Sequence, residues 1–133
     1  VVSLTGVTGI EAQGDIVTIG AGITFTGATT LTGTLSAVTN IGAGDLTFTD
    51  TLNGAGDLAV DVGTGDVLFE GVVGADARLG DITIATALNV TADFALRAAS
   101  FDQAVGTGIT DLKAVDVTTD IGVSSVSDFR VRG

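Results

Sequence analysis

Aspartates that follow closely spaced glycines are the residues of this chain best suited to chemistry. Three corners have the pattern Gly-x-Gly-Asp, and they begin at Gly42, Gly54 and Gly63. The aspartates of two corners, Asp45 and Asp66, occupy equivalent positions 21 residues apart. Carboxylate oxygens are ligands that calcium prefers, so Asp45 and Asp66 are the candidate calcium ligands. The favoured alternative is a pair of solvated turn aspartates that hydrogen-bond their own backbone.

The composition argues against most other site chemistry. The chain has no His, Cys or Tyr, which removes side chains that commonly serve as acids, bases, nucleophiles or transition-metal ligands. Cleavage of polysaccharides would need clustered carboxylates, often beside a basic residue, and no basic residue precedes Arg78. We therefore predict a protein that is not an enzyme and has no cofactor, with calcium as the one exception considered.

The charge and the apolar runs limit the partners. A net charge of −11 would repel nucleic acid and anionic membrane surfaces. No apolar run approaches the roughly 18 residues of a membrane-spanning helix. We therefore expect neither a nucleic-acid partner nor a transmembrane segment.

A four-residue corner signature recurs at a nearly constant interval, which is typical of repeat folds. Each copy begins with Ile or Val and continues as Gly-x-Gly or, once, as Ala-x-Ala. The copies begin 22, 21, 22 and 21 residues apart, at residues 19–22, 41–44, 62–65, 84–87 and 105–108. A further step of 21 reaches Val126, where only the apolar first residue is kept.

A ladder of large apolar residues supports the same period. Phe25, Phe48, Phe69 and Phe94 are separated by 23, 21 and 25 residues, and Val117 continues the series after 23 more. Identical positions of successive coils stack about 4.8 Å apart in a parallel β-helix. The ladder therefore predicts an internal aromatic column.

Short stretches between the corners alternate apolar and polar residues, which indicates half-buried strands. Residues 92–99 are mostly good helix formers and are the one competing helix. We favour a strand there, because a helix would interrupt the register that resumes at Val105. An antiparallel sandwich is the alternative fold, but it has no reason to repeat at this interval. We predict an all-β parallel β-helix, or β-solenoid, with coils of about 21–22 residues, about six coils and a length of roughly 29 Å.

Residues 44–54 and 61–74 resemble the β-strand repeats of very large bacterial exoproteins. These are grouped with filamentous-haemagglutinin-type adhesins and autotransporter passengers, and the resemblance extends over residues 15–112. It implies a secreted or cell-surface rod, and it identifies no receptor.

The ends and the charge distribution shape the functional expectation. Residues 1–77 contain nine acids and no base, whereas residues 78–133 contain seven acids and all five bases. Neither end shows a proline or an amphipathic capping helix, features that natural repeat proteins use to cover open strand edges. We expect residues 1–133 to be a single solenoid segment of a longer repetitive chain or of a stacked fibre.

Two functions follow from these observations. The first is a structural or adhesive extracellular rod of a bacterial surface or secreted protein, and the alternative is the subunit of a homopolymeric extracellular filament that assembles through solenoid ends. The expected partners are neighbouring coils or other copies of the chain, together with an unidentified host or cell-surface ligand.

Overall fold

A computed structural model describes residues 1–40 and 42–133, and it confirms an all-β parallel solenoid of about six coils. The described residues form no helix, and accordingly none that could cross a membrane. Residues 92–99, the competing helix, lie within a strand as predicted. The strands are β1 (Val2–Thr5), β2 (Ile10–Val17), β3 (Ile23–Thr26), β4 (Thr29–Val38), β5 (Leu46–Phe48), β6 (Leu52–Asn53), β7 (Leu58–Asp61), β8 (Val67–Phe69), β9 (Leu79–Ala87), β10 (Val90–Gly106), β11 (Ile109–Val123) and β12 (Asp128–Arg132).

The coils have three faces. The first face contains β1, β3, β5, β8, the beginnings of β10 and β11, and β12. The second face contains the beginnings of β2 and β4, then β6, a bridge at Val73 and the middle of β10 and β11. The third face contains the ends of β2 and β4, then β7, most of β9, and the ends of β10 and β11. Within the described residues, the pairings between these strands are all parallel, so each coil lies directly on the one before it.

Alternation along each strand builds the core. Inward residues of the first face are buried in every coil from the second to the sixth, while their neighbours point outward. Phe25 and Phe48 stack with ring centroids 4.7 Å apart, and Phe48 and Phe69 with centroids 5.8 Å apart. The predicted aromatic column therefore exists for three coils.

The predicted continuation of this column is wrong. Phe69 pairs with Ala92, which fills the core position of the next coil. A register shift between Thr91 and Ala95 follows at the corner, and it leaves the Phe94 side chain 49% exposed. Val117 pairs with Ala98 on the second face, so it belongs to a different column.

The corner signature is also displaced in two coils, since Val105 pairs with Thr86, whose partner in the coil below is Asp61 and not Val62. Ile84 pairs with Val60 and Gln103 in the middle of the third face, and not with Val62 and Val105. The fourth coil has an irregularity between its pairings to Val60 and Asp61, which inserts Ala85. The displacement begins before this irregularity, because Leu52 pairs with Val73 at an interval of 21 residues whereas Leu58 pairs with Ile82 at 24. The copy at residues 41–44 begins at Ile41, which lies outside the described residues.

Close contact between coils explains one glycine at a corner. Gly54 has a φ of +108°, and a Cβ there would collide with the carbonyl group of Leu31 in the coil below. An L-residue would be strained in this conformation even with free space around it. The turn after β6 therefore requires glycine.

Candidate functional site

Asp45 and Asp66 lie on successive coils at the corner that precedes the first face. The backbone N–H of Asp66 donates a hydrogen bond to Oδ1 of Asp45 at 2.8 Å. The backbone N–H and side-chain Nδ2 of Asn89 donate to Oδ1 of Asp66 at 3.1 and 2.9 Å. Asn89 Oδ1 in turn accepts from the backbone N–H of Ile109 at 2.8 Å. We call Asp45, Asp66 and Asn89 the Asx ladder.

The Asx ladder performs a backbone-capping role across coils. Each of its side chains satisfies the N–H group at the start of the next coil, which the parallel pairing of the first face leaves exposed at the corner. The sequence interpretation of turn aspartates is thus close to the observed geometry, but the acceptors serve the neighbouring coil and not their own turn. The structure brings Asp45 and Asp66 together, as their equivalent spacing predicted.

The donor set at this corner is small for calcium, which takes six to eight oxygen ligands. One oxygen of Asp45 and one of Asp66 already accept hydrogen bonds. Among residues 1–40 and 42–133 there is no group of three or more acidic side chains placed to hold a metal ion. Calcium binding at Asp45 and Asp66 stays an untested alternative to a chain without a cofactor.

The Gly-x-Gly-Asp corner that begins at Gly54 makes a related ladder between the second and third faces. Asp57 Oδ1 accepts from the backbone N–H of Asp81 at 2.9 Å. Asp81 Oδ1 accepts from the hydroxyl group of Ser100 in the next coil at 2.8 Å. Side-chain oxygens of one coil therefore hold the following coil at two different corners.

Arginines link the later coils. Arg78 Nη2 contacts Asp116 Oδ2 at 2.6 Å, and its Nη1 donates to the backbone carbonyl groups of Ala98 and Asp116. Arg97 Nε contacts the same carboxylate at 3.3 Å. The hydrogen bond from Arg78 lowers the pKa of Asp116 below its ordinary value of 3.8. One guanidinium group thus joins the fourth, fifth and sixth coils.

Arg132 makes a second link of this kind from β12. Its Nε donates to Asp111 Oδ1 at 2.6 Å, and its Nη2 donates to the carbonyl group of Ala92 at 3.1 Å. The bases that the sequence concentrates after residue 77 therefore act largely between coils. The sequence signalled their number and position, but not their partners.

The outer surface of the first face changes character along the rod. One outward column runs through Ser3, Thr24 and Thr47 in the first three coils. The same column continues through Leu68, Thr91, Asp111 and Arg130, of which only Thr91 carries a hydroxyl group. Small hydroxyl side chains thus give way to larger and charged ones.

A groove of about 360 Å³ lies in this second part of the first face. One wall is the outward column from Leu68 to Arg130, and the other is formed by Asp66, Asn89 and Ile109. A larger hollow of about 550 Å³ lies at the corner between the second and third faces, where Thr30, Thr32 and Thr34 line it together with the turn at residues 54–57. Both are open depressions in the surface of the rod.

Sequence reasoning missed a buried polar pair. Gln103 and Thr110 are fully buried, and the Thr110 hydroxyl group donates to Gln103 Oε1 at 2.6 Å. Gln103 occupies the core position held by Val60 and Ile84 in the coils below. A glutamine at an inward position would have indicated the buried pair. Sequence reasoning did not place Gln103 inward, because it assigned the wrong register to residues 84–87 of the neighbouring coil.

Comparison of the chain with protein-family models, with curated proteins and with solved structures finds no match.

Proposed function

We propose that this chain is a structural or adhesive rod segment of a bacterial secreted or cell-surface protein, and that it has no catalytic role. The supporting observation is the continuous parallel pairing of the first face from β1 to β12, which stacks the coils along one axis. A repeat fold of this kind works by its length and by what it displays on its sides.

The contacts between coils support stiffness. Backbone hydrogen bonds on three faces are reinforced by the stacked rings of Phe25, Phe48 and Phe69. The Asx ladder adds contacts in the middle coils, and Arg78 and Arg132 add them in the later ones. Because each of these contacts joins neighbouring coils, bending the rod would strain several at once.

The extracellular location rests on the resemblance to exoprotein repeats. Filamentous-haemagglutinin-type adhesins and autotransporter passengers are secreted or displayed on the cell surface, and the stacked coils are compatible with that class. Immunogold labelling of intact bacterial cells that produce the protein tests the location. Surface label before permeabilisation is expected, and label that appears only after permeabilisation would contradict it.

A homopolymeric filament is the second candidate, and it would assemble by pairing between strand edges of separate copies. Within the described residues, β1 pairs on one side only, with β3, and β12 pairs on one side only, with β11. Val17 is 60% exposed near the first edge and Val131 is 53% exposed at the last. A strand with one unpaired edge beside exposed apolar residues is suited to pairing with another copy of the chain.

Negative-stain electron microscopy of the purified chain separates the two candidates. Short rods support the stalk segment, whereas long uniform filaments would favour assembly through solenoid ends. Repeating the grids and a thermal melt with a calcium chelator tests the cofactor prediction. We expect the melting temperature to stay within about 1 °C, because a ligand that does not bind the folded state cannot stabilise it. A drop that Asp45→Asn and Asp66→Asn abolish would instead establish calcium at that corner.

A further inference from the structure

The groove on the first face is elongated along the rod axis, and we refer to its long direction as the track. Its outward column rises through Leu68, Thr91, Asp111 and Arg130, which belong to four successive coils. Successive coils are separated by about 4.8 Å, so the track is roughly 14 Å long. An extended chain lying parallel to the rod axis matches this shape better than a compact small molecule.

Several polar atoms of the groove remain available for a ligand. Asp66 and Asp111 each use only Oδ1 in hydrogen bonds to described residues. The hydroxyl group of Thr91 has no hydrogen-bond partner in the same part of the chain. Arg130 uses Nε to contact Asp128 at 2.6 Å, and its other guanidinium N–H groups have no partner among residues 1–40 and 42–133. Acceptors, a hydroxyl group and donors therefore follow one another along the track.

The apolar residues of the groove complete this pattern. Leu68 is partly exposed in the outward column, and Ile109 is 37% exposed on the opposite wall. Ligand sites generally combine apolar contact area with a few placed polar groups. Sugar rings offer both partners, because they have C–H surfaces and hydroxyl groups that donate as well as accept.

The charges of the groove narrow the choice among extended ligands with polar and apolar groups. The groove contains the carboxylates of Asp66 and Asp111 in a chain of net charge −11, so an acidic polysaccharide would be repelled. Asp111 contacts Arg132 Nε at 2.6 Å and Arg130 Nε contacts Asp128 at 2.6 Å, so these charges are paired within the protein and offer little net attraction to a basic peptide. A neutral ligand avoids the repulsion and does not depend on such attraction.

We infer that the groove formed by Asp66, Leu68, Asn89, Thr91, Asp111 and Arg130 binds a neutral oligosaccharide that lies along the rod axis. This inference rests on the proposed adhesive function, because it names the class of ligand that the rod displays a site for. The hydroxyl groups of the sugar bond to the free oxygens of Asp66 and Asp111, to Thr91 and to the guanidinium group of Arg130.

Titration of the full ¹⁵N-labelled chain with oligosaccharides tests the inference. The neutral probes are hexasaccharides of glucose, mannose and N-acetylglucosamine in several linkages, and the charged probes are hexagalacturonate and hexalysine. We expect at least one neutral hexasaccharide to shift the amide signals of Leu68, Thr91 and Asp111. Its affinity is expected to be insensitive to salt, since screening acts on charged ligands.

A matched pair of substitutions locates the site. Thr91→Val replaces the groove hydroxyl group with a methyl group and is expected to weaken binding about fivefold, as for the loss of one hydrogen bond. Thr47→Val makes the same change in the same outward column two coils away, and it should leave the affinity unchanged. Circular dichroism checks that both variants keep the fold.

Three results would overturn the inference: no shift with any neutral hexasaccharide, equal weakening by Thr47→Val and Thr91→Val, or salt-sensitive binding of hexalysine in preference to every sugar. None of them would contradict the rod itself, because electron microscopy measures that separately. If the chain forms a rod on the cell surface but binds no sugar, the proposed structural function is supported and the ligand inference is wrong.

Discussion

Removing the middle ring of the aromatic stack tests the packing that holds the first face together. Phe48 is 1% exposed and stacks on Phe25 from one side and on Phe69 from the other. Truncating a buried Phe to Ala costs about 3–5 kcal/mol, and each lost aromatic pair contributes about 0.5–1.5 kcal/mol beyond buried area. We therefore expect Phe48→Ala to lower the free energy of unfolding by about 5 kcal/mol.

Phe94→Ala is the matched control, because the sequence spacing places both residues in one ladder. Phe94 is 49% exposed, and its ring contacts Lys113 Nζ at 5.8 Å from the ring centroid. An exposed cation–π contact is worth about 0.5–1 kcal/mol. We expect Phe94→Ala to cost about 1 kcal/mol.

Urea denaturation followed by far-UV circular dichroism measures both variants, since the chain has no Trp or Tyr for fluorescence. Repeat folds can unfold in parts, so the comparison uses variants whose m-values agree with that of the unsubstituted chain. Costs for Phe48→Ala and Phe94→Ala that agree within about 1 kcal/mol would refute the assignment of one ring to the core and the other to the surface.

Three further predictions concern polar contacts. Asn89→Ala should cost about 1–3 kcal/mol and speed hydrogen exchange of the Ile109 amide, which loses its acceptor; unchanged exchange would contradict the Asx ladder. Asp116→Asn should lower the melting temperature at pH 7. Because the folded-state pKa of Asp116 is depressed, this difference should be full above pH 3.8 and shrink as the pH falls through the folded value; a constant difference in a pH series of melts would argue against it. Gln103→Leu leaves the Thr110 hydroxyl group without its acceptor but also removes the buried Gln103 Nε2, which has no hydrogen-bond partner among the described residues. Adding Thr110→Val should therefore give a double variant at least as stable as the unsubstituted chain in urea denaturation, and a double variant less stable than Gln103→Leu alone would contradict this reasoning.

The fold was predictable because its signals are periodic and local. Gly-rich corners recur about every 21–22 residues, and alternation of apolar and polar residues between them marks strands. Stacking in register follows from the repeat itself, and three rings in one column confirm it. These features need only the order of residue types along the chain.

Exact register was harder to predict, because the coils differ in length. On the first face Val2 pairs with Ile23 and Ile23 with Leu46, which are intervals of 21 and 23 residues. Bulges at corners absorb such differences, and a bulge leaves no residue-type signal in a chain of Gly, Ala and Thr. The error at Phe94 involves one irregularity of this kind, whereas the error at residues 84–87 arises mainly from the longer corner between Val73 and Ile82, to which Ala85 adds one residue.

Only part of the Asx ladder could be predicted from the sequence, for a related reason. Asp45 and Asp66 share a pattern, but Asn89 follows Leu88 without a Gly-x-Gly corner, so only the three-dimensional register places it above Asp66. A third aspartate there would put another carboxylate beside Asp66. Asparagine keeps the Oδ1 acceptor for the next coil and adds an Nδ2 donor to the carboxylate below. The replacement of aspartate by asparagine breaks the sequence pattern at residue 89, and it also keeps a third negative charge out of the Asx ladder.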